Sequence, residues 1–450
     1  MKVLQVAYTF APDPAGGTEV YVEALSRELQ RLGVESTVAA PASADGSYVH
    51  RGVLVRRFAS AGPSRLEQLY GDGDPTAAAA FERLLEDEQP GLVHQHAVSP
   101  ACSVALMRAA ERRGLPVVFT YHTPAVSCAR GTLLRWGREV CDGRLASAPC
   151  VSCTLDGLGA GRVARRAAGA VPARAGEWLG RAGLRGGAWT AARMPALMRR
   201  HHARVAEVLS IPARIVALTP WVAALLEANG VPSGRVVNLP HGTAAARRRA
   251  PTCRVGPCRF VHLGRLDPAK GTALLLAAMR GMAGTPCELD VVGVAQGEAG
   301  RAARQRLETM AAADPRVRFL DPVDPADVVD RLAAYDMVVV PSQWLETGPL
   351  VVLEAFAAGV PVLGSALGGL RALVRDDVDG LLVDPFDAVS RWTDVLQRVA
   401  LDRALRDRLR AGVRRPRTMQ AVAIEMQGVY AEVLEGAQTS RAADGANAST

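Results

Sequence analysis

Two glutamates, Glu346 and Glu354, stand eight residues apart in the stretch PSQWLETGPLVVLEAFAAGVPVLGSALGG from Pro341 to Gly369. Carboxylates so spaced can address one ligand only if the chain turns between them, and the stretch provides that turn. The run Val338, Val339, Val340 predicts a strand buried on both faces of a parallel sheet. Pro349 suits the first turn of a helix, and a second strand follows from Val360. The free backbone N–H groups after Gly348 then lie where a helix start opens toward an anion such as a phosphate. Two further candidates occur in Gly264-Arg265-Leu266-Asp267-Pro268-Ala269-Lys270-Gly271, which follows an apolar run from Phe260. Arg265 and Lys270 would sit at the carboxyl end of a strand, the usual ligand edge of an open α/β sheet. Fixed cations there suit a diphosphate that leaves carrying negative charge. Lys2 and Lys270 are the only lysines of the chain, so a compact ammonium is kept at 270 against a strong arginine bias.

Near the amino terminus, Ala15-Gly16-Gly17-Thr18-Glu19 follows a first apolar run and leads into a helical pattern with Thr18 as its expected cap. Gly16 and Gly17 make this a second place where backbone amides could meet phosphate. Four of the eight cysteines, Cys128, Cys141, Cys150 and Cys153, crowd into one stretch with spacing C-x12-C-x8-C-x2-C. Such a set can hold a structural zinc tetrahedrally, or can remain as free thiols. Cys102, Cys253, Cys258 and Cys287 are scattered and read as small buried residues.

These residues need elements to position them. Apolar runs at 3–9, 36–40, 53–58, 92–96, 117–121, 215–219 and 236–239 read as strands, with helical periodicity at 20–32 and 99–113. A second series of strands is expected at 260–263, 289–292, 317–320, 337–340, 361–364 and 381–383. Two alternating series predict two doubly wound, Rossmann-like α/β domains facing each other across a cleft. The expected boundaries are 1–245, with an insertion at 128–204, then 246–415, a helix at 416–435 and a disordered tail at 436–450. Within the insertion, apolar positions from Met194 to Leu209 recur at helical spacing.

The net charge of +8 is concentrated, because residues 155–204 hold ten arginines against Asp156 and Glu177. A nucleic-acid binder would spread its basic face over a folded domain, so that class is not expected. The arginine segment is read either as a solvated face or as a peripheral contact with acidic lipid or an anionic acceptor. The amino terminus reads as a first strand, no run approaches a spanning helix, and cytoplasmic residence is the expectation. Asp377-Val378-Asp379 spells D-x-D but precedes Gly380 in an apparent turn, so it reads as turn chemistry.

The combination GRLDPAKG, PSQWLETGPLVVLEAFAAGVPVLGS and GLLVDP resembles the retaining glycosyltransferases of the GT-B fold that carry an E-x7-E signature, family 4. GGTE, HQH and FTYHT fall in matching order in the amino-terminal half. The resemblance implies that Arg265 and Lys270 hold the diphosphate of a nucleotide-sugar donor and that Glu354 bonds its ribose. It implies that Glu346 and the backbone of Thr347, Gly348, Pro349 and Leu350 hold sugar and phosphate. Gly16, Gly17 and Gly264 would approach the donor, and His122 would contact the transferred sugar. The acceptor would be a glycan, a lipid-linked sugar or a small natural product, and catalysis would need no metal. Two alternatives are an epimerase of the same fold and a non-catalytic sugar-nucleotide-binding scaffold docked on a membrane.

Overall fold

The computed structural model describes residues 1–13, 16–63, 65–243 and 256–447. The chain divides into two compact units, Met1–Pro240 with Val422–Thr450, and His241–Ala421. The expected boundary at 245/246 lies outside the described residues.

The first unit is built on an eight-stranded sheet. Its strands are β1 (Lys2–Val6), β2 (Glu35–Ala42), β3 (Gly46–His50), β4 (Val53–Ala59), β5 (Leu92–Gln95) and β6 (Val117–Thr120). A separate hairpin of β7 (Leu134–Arg135) and β8 (Glu139–Val140) follows, and β9 (Arg214–Ala217) and β10 (Val236–Asn238) complete the sheet. The order is β10-β9-β6-β5-β1-β2-β4-β3, parallel except for β3 against β4. The sheet grows outward in both directions from the pair β1 and β5, so the carboxyl ends of those strands mark its switch point.

The second unit has six parallel strands, β11 (Cys258–Arg265), β12 (Cys287–Val294), β13 (Val317–Leu320), β14 (Met337–Val340), β15 (Val362–Ser365) and β16 (Gly380–Val383). Their order β13-β12-β11-β14-β15-β16 is that of a dinucleotide-binding Rossmann sheet, with its switch point between β11 and β14. Alternate residues of β14 enter different cores. Met337 and Val339 pack with Phe260, Leu363 and Trp392, whereas Val338 and Val340 pack with Val261, Val352 and Val362. A strand enclosed on both sides needs a continuous apolar run, which is why this one is legible in the sequence.

Three features differ from the expectations. The antiparallel edge strand β3, GSYVH, escapes the pattern of apolar runs because its glycine, serine and histidine break the alternation. The insertion is helical over much of its length: Ser147–Gly157, Arg162–Gly169, Ala173–Arg181 and Gly187–Ser210 are helices. Val151, Leu155, Ala168, Met194, Leu197 and Met198 from these helices share a small core. The tail expected to be disordered from Gly436 continues, as far as Asn447, the Met419–Asn447 helix, in which several alanines favour helix despite three glycines.

Candidate active site

In the second unit the carboxyl ends of β11 and β14 are adjacent, so the loops that follow them must meet. Gly264 is the penultimate residue of β11 and Arg265 its last. Asp267 caps the tight turn Pro268–Lys270 by accepting from the Ala269 amide at 3.0 Å. Gly271 has φ +73°, and a Cβ there would lie 1.9 Å from the Pro341 carbonyl oxygen. Only glycine lets the β11 loop press this closely against the end of β14. The close approach brings Lys270 Nζ to 2.6 Å from Glu346 Oε1, and the Ser342 hydroxyl donates to the same oxygen at 2.7 Å. The ammonium also stands 5.1 Å from the centre of the Trp344 ring, a cation–π contact.

Glu346 is buried. Burial alone would push its carboxyl up, but the Lys270 ammonium and the hydrogen bonds from Lys270 and Ser342 outweigh it and hold the group below the usual range. Its own backbone carbonyl accepts from the Gly369 amide at 2.6 Å, and a Cβ at Gly369 would lie 2.7 Å from that carbonyl oxygen. The turn carrying Glu346 is thereby clamped between the β11 loop and the Gly368-Gly369 pair.

The helix expected after this turn is Leu350–Ala357, with Pro349 at the cap and Gly348 just before it. Proline therefore sits one position earlier than anticipated, with ψ 113° outside the helical range. Thr347 is buried in the turn. Glu354 lies within the helix; part of its residue surface is open, while the atoms crowding the carboxyl desolvate it and push it up to about 7. The two glutamates are thus different acids, one held ionised and one half protonated near neutrality. Arg265 is more exposed and lies 3.4 Å from Asp267.

The D-x-D residues stand apart from this cluster. Asp377 pairs with Arg408, and Asp379 with Arg375 at 2.6 Å, as turn chemistry predicts. Sequence reasoning misses Ser342, Trp344 and His262. The His262 ring bridges the Val339 carbonyl at 3.0 Å and the Thr272 hydroxyl at 3.1 Å, and burial drives it down to about 4. Its signal is a lone polar residue inside the apolar run of β11.

In the first unit, Gly16 rather than Thr18 caps the Gly17–Arg31 helix. The Gly16 amide donates to Glu19 Oε2 at 2.8 Å, so a side chain three residues on already satisfies this N–H. A phosphate at Gly16 would have to compete with that carboxylate. His122 is buried two residues beyond β6, with its Nε2 3.1 Å from His96 Nδ1 and its ring edge-on to Tyr21 at 5.0 Å. Through His96 it joins one buried hydrogen-bonded group of Gln5, His94, Thr120 and Tyr430, of which the HQH and FTYHT patterns stand out in the sequence.

Cys128, Cys141, Cys150 and Cys153 are half-buried free thiols near the β7–β8 hairpin. Among the described residues, no three of His, Cys, Asp and Glu converge closely enough to hold a metal ion. Of the ten arginines of residues 155–204, Arg193 is buried and paired with Glu67, Arg165 pairs with Asp156, and Arg199 pairs with Glu177. Arg204 bonds His201 and the Val126 carbonyl. Arg162, Arg166, Arg174, Arg181 and Arg185 are exposed.

Two Rossmann-like units, each with its candidate residues at the carboxyl ends of parallel strands, define a GT-B architecture, and solved structures agree. Sucrose-phosphate synthase from Thermosynechococcus elongatus superposes with a TM-score of 0.65 at 19% identity, covering 97% of this chain and 99% of that one. HepE from Anabaena, solved with UDP and glucose, gives 0.64 at 15% identity over 96% of this chain and 99% of that one. Residues 15–154 match the model described as Glycosyltransferase Family 4, and residues 247–415 match Glycosyl transferases group 1. The chain is 30% identical over 421 residues to a D-inositol 3-phosphate glycosyltransferase of Frankia alni, covering 88% of this chain and 89% of that protein. It is 40% identical over 189 residues to the protein of that name from Geodermatophilus obscurus, covering 39% of this chain and 40% of that one. Several relatives of this name are matched over only 36% to 42% of their own length. The chain belongs to the family 4, group 1 glycosyltransferases. These likenesses do not favour the epimerase or scaffold alternatives.

Proposed function

We propose that the chain is a retaining glycosyltransferase that moves a sugar from a nucleotide-diphosphate donor to an acceptor hydroxyl. The observation that carries this reading is the Lys270–Glu346 contact at the β11–β14 switch point, with Arg265 on the same strand end. Lys270 and Arg265 would hold the donor diphosphate and stabilise the charge that it gains as the anomeric C–O bond breaks. Backbone amides before the Leu350–Ala357 helix would add to that field. The acceptor oxygen would form the new bond on the same face, and its proton would pass to the departing phosphate oxygen. Glu346 is assigned to the sugar, Glu354 to the ribose and His122 to the transferred sugar, so neither glutamate needs to act as nucleophile.

The first donor to screen is UDP-glucose, with which HepE has also been solved, and the first acceptor is the inositol phosphate in the relatives' name. Transfer by the wild type that is lost in both Lys270→Ala and Glu354→Ala, with folding intact, is expected. Transfer at wild-type rate in either variant would overturn the site assignment.

Two accessory features belong to the same reading. Arg162, Arg166, Arg174, Arg181 and Arg185 share the insertion with exposed Val163, Trp178 and Trp189. That mixture suits peripheral contact with an anionic membrane, and cosedimentation with phosphatidylglycerol vesicles but not with phosphatidylcholine vesicles tests it. The four cysteines are taken as a candidate structural zinc site because all are half-buried free thiols near the β7–β8 hairpin and the Trp136 amide donates to Cys153 Sγ at 3.3 Å, a bond of the kind that orients a thiolate ligand. Stoichiometric zinc in the purified protein would support this and its absence would refute it. Among the described residues, no helix is long and apolar enough to cross a membrane.

A further inference from the structure

At the switch point of the first sheet, an unbroken line of buried side chains runs from the C-terminal helix to His122. Tyr430 OH lies 3.2 Å from Gln5 Nε2 and 2.6 Å from His94 Nδ1. Gln5 Oε1 lies 2.8 Å from His96 Nε2, and His96 Nδ1 lies 3.1 Å from His122 Nε2. His94 Nε2 reaches the Thr120 hydroxyl at 2.8 Å, and Gln5 Nε2 also approaches Ser36 Oγ at 3.5 Å. Gln5, His94, Thr120 and Tyr430 are fully enclosed, and His96 and His122 nearly so.

Donor and acceptor rules give this line a direction. In the structure the Gln5 amide presents its nitrogen to two hydroxyl oxygens, which can accept, and its carbonyl to His96. A carbonyl only accepts, hence His96 carries its proton on Nε2 and in the neutral ring its Nδ1 accepts. The atom facing Nδ1 is His122 Nε2, which must then donate. At the other end, Tyr430 OH accepts from Gln5 and donates to His94 Nδ1, leaving His94 Nε2–H to donate to Thr120. Burial is consistent with this assignment, since it pushes the Tyr430 hydroxyl well up and His94 well down, keeping both neutral.

We propose that Tyr430 and Gln5 are positioning residues that act through His96 to fix His122 as its Nε2–H tautomer and to fix the plane of its ring. The functional importance of that ring rests on the reading that His122 addresses the transferred sugar. The residues that set it come from three places in the chain: β1, the end of β5, and a helix that rejoins this unit only after the second unit has been completed.

The test uses the full chain with 15N-histidine labelling, which is tractable because there are only eight histidines, and single His→Gln variants assign the signals. The wild type should show His122 protonated at Nε2. Gln5→Leu and Tyr430→Phe should shift His122 toward a tautomer mixture. In transfer assays both variants should lower kcat by about tenfold with the donor KM little changed, as losses of outer-shell orientation do. A merely structural role for these residues would lower stability without moving the His122 nitrogen shifts. Unchanged His122 nitrogen shifts in folded Gln5→Leu and Tyr430→Phe would overturn the proposal. If His122→Ala transfers sugar normally while the tautomer responds as described, the relay stands and the sugar-contact reading falls.

Discussion

The switch points of the two sheets are built from opposite materials. At the first, an amide, three imidazoles and a phenol meet in a buried group whose members pair by directional hydrogen bonds. At the second, an ammonium and a carboxylate touch, with another carboxylate on the next helix and a guanidinium at the strand end. Neutral hydrogen bonds fix angles and proton positions but project little field, whereas buried charges project field and tolerate angular error. The division fits a reaction in which one partner must be oriented and the other must have growing negative charge absorbed. It also implies that the two regions fail differently when a partner is removed.

The largest effect on the fold is expected at the ion pair. Lys270→Met leaves the Glu346 charge enclosed with no cation beside it and neutral donors such as Ser342 to bond it, and removing one member of a buried pair costs about 3–5 kcal/mol. The pH dependence gives the cause away. In the wild type the depressed Glu346 pKa contributes stability above the unfolded-state value, and that contribution is lost as pH falls through the folded value. In Lys270→Met the carboxyl instead resists ionisation, so the deficit against wild type should be greatest at pH 7 and shrink toward pH 4. Urea unfolding at those pH values measures it, and a deficit independent of pH would show that packing rather than charge holds the two loops together.

Glu354 should show the opposite slope with a smaller amplitude. Its folded pKa of about 7 lies above the unfolded value, so its contribution is most favourable at low pH and is lost as pH rises through 7. Relative to Glu354→Gln, the ligand-free wild type should lose about 2 kcal/mol of stability between pH 5 and pH 8. If the carboxylate accepts ribose hydroxyls, nucleotide binding at pH 7 should also release protons, detectable by calorimetry in buffers of different ionisation enthalpy. No proton release would separate Glu354 from the nucleotide. The first region offers no comparable pair of slopes, because its titrating rings and phenol are paired mainly with one another and with neutral groups.

The charged region is far more legible in the sequence than the neutral one, for a physical reason. Arg265, Lys270, Glu346 and Glu354 fall next to the strand ends that generate their positions, so local pattern and chemistry coincide. The neutral relay is assembled from Gln5, His94, His96, His122 and Tyr430, which only the sheet order and the returning helix bring together. Gln5 interrupts VLQVA and His94 interrupts LVHQH, so each betrays a polar group in a core strand without naming its partner. Tyr430 gives no signal, since a tyrosine on an amphipathic helix is ordinarily core. The strand series is readable from continuous apolar runs, while β3 and the small helical layer of the insertion are obscured by polar residues and by arginines whose partners are distant in sequence.

The smallest effect on the fold is expected at Arg265, and it sharpens the contrast within the charged region itself. Lys270 is tied into the structure, but Arg265 is 43% exposed in its side chain and its contact with Asp267 is of the surface kind. Such pairs contribute little, so Arg265→Ala should change unfolding free energy by no more than about 0.5 kcal/mol. If its guanidinium nevertheless meets the donor diphosphate, kcat should fall on the order of a hundredfold, as when one stabilising donor is removed from developing charge. Arg265→Lys would keep the charge and lose the two-pronged geometry, so it should recover only part of that loss. Parallel stability and turnover measurements on Ala and Lys variants decide the point. Large losses in both for Arg265→Ala would make this residue a structural element like Lys270, and a loss in neither would remove it from the site, leaving Lys270 and the helix start to carry the diphosphate.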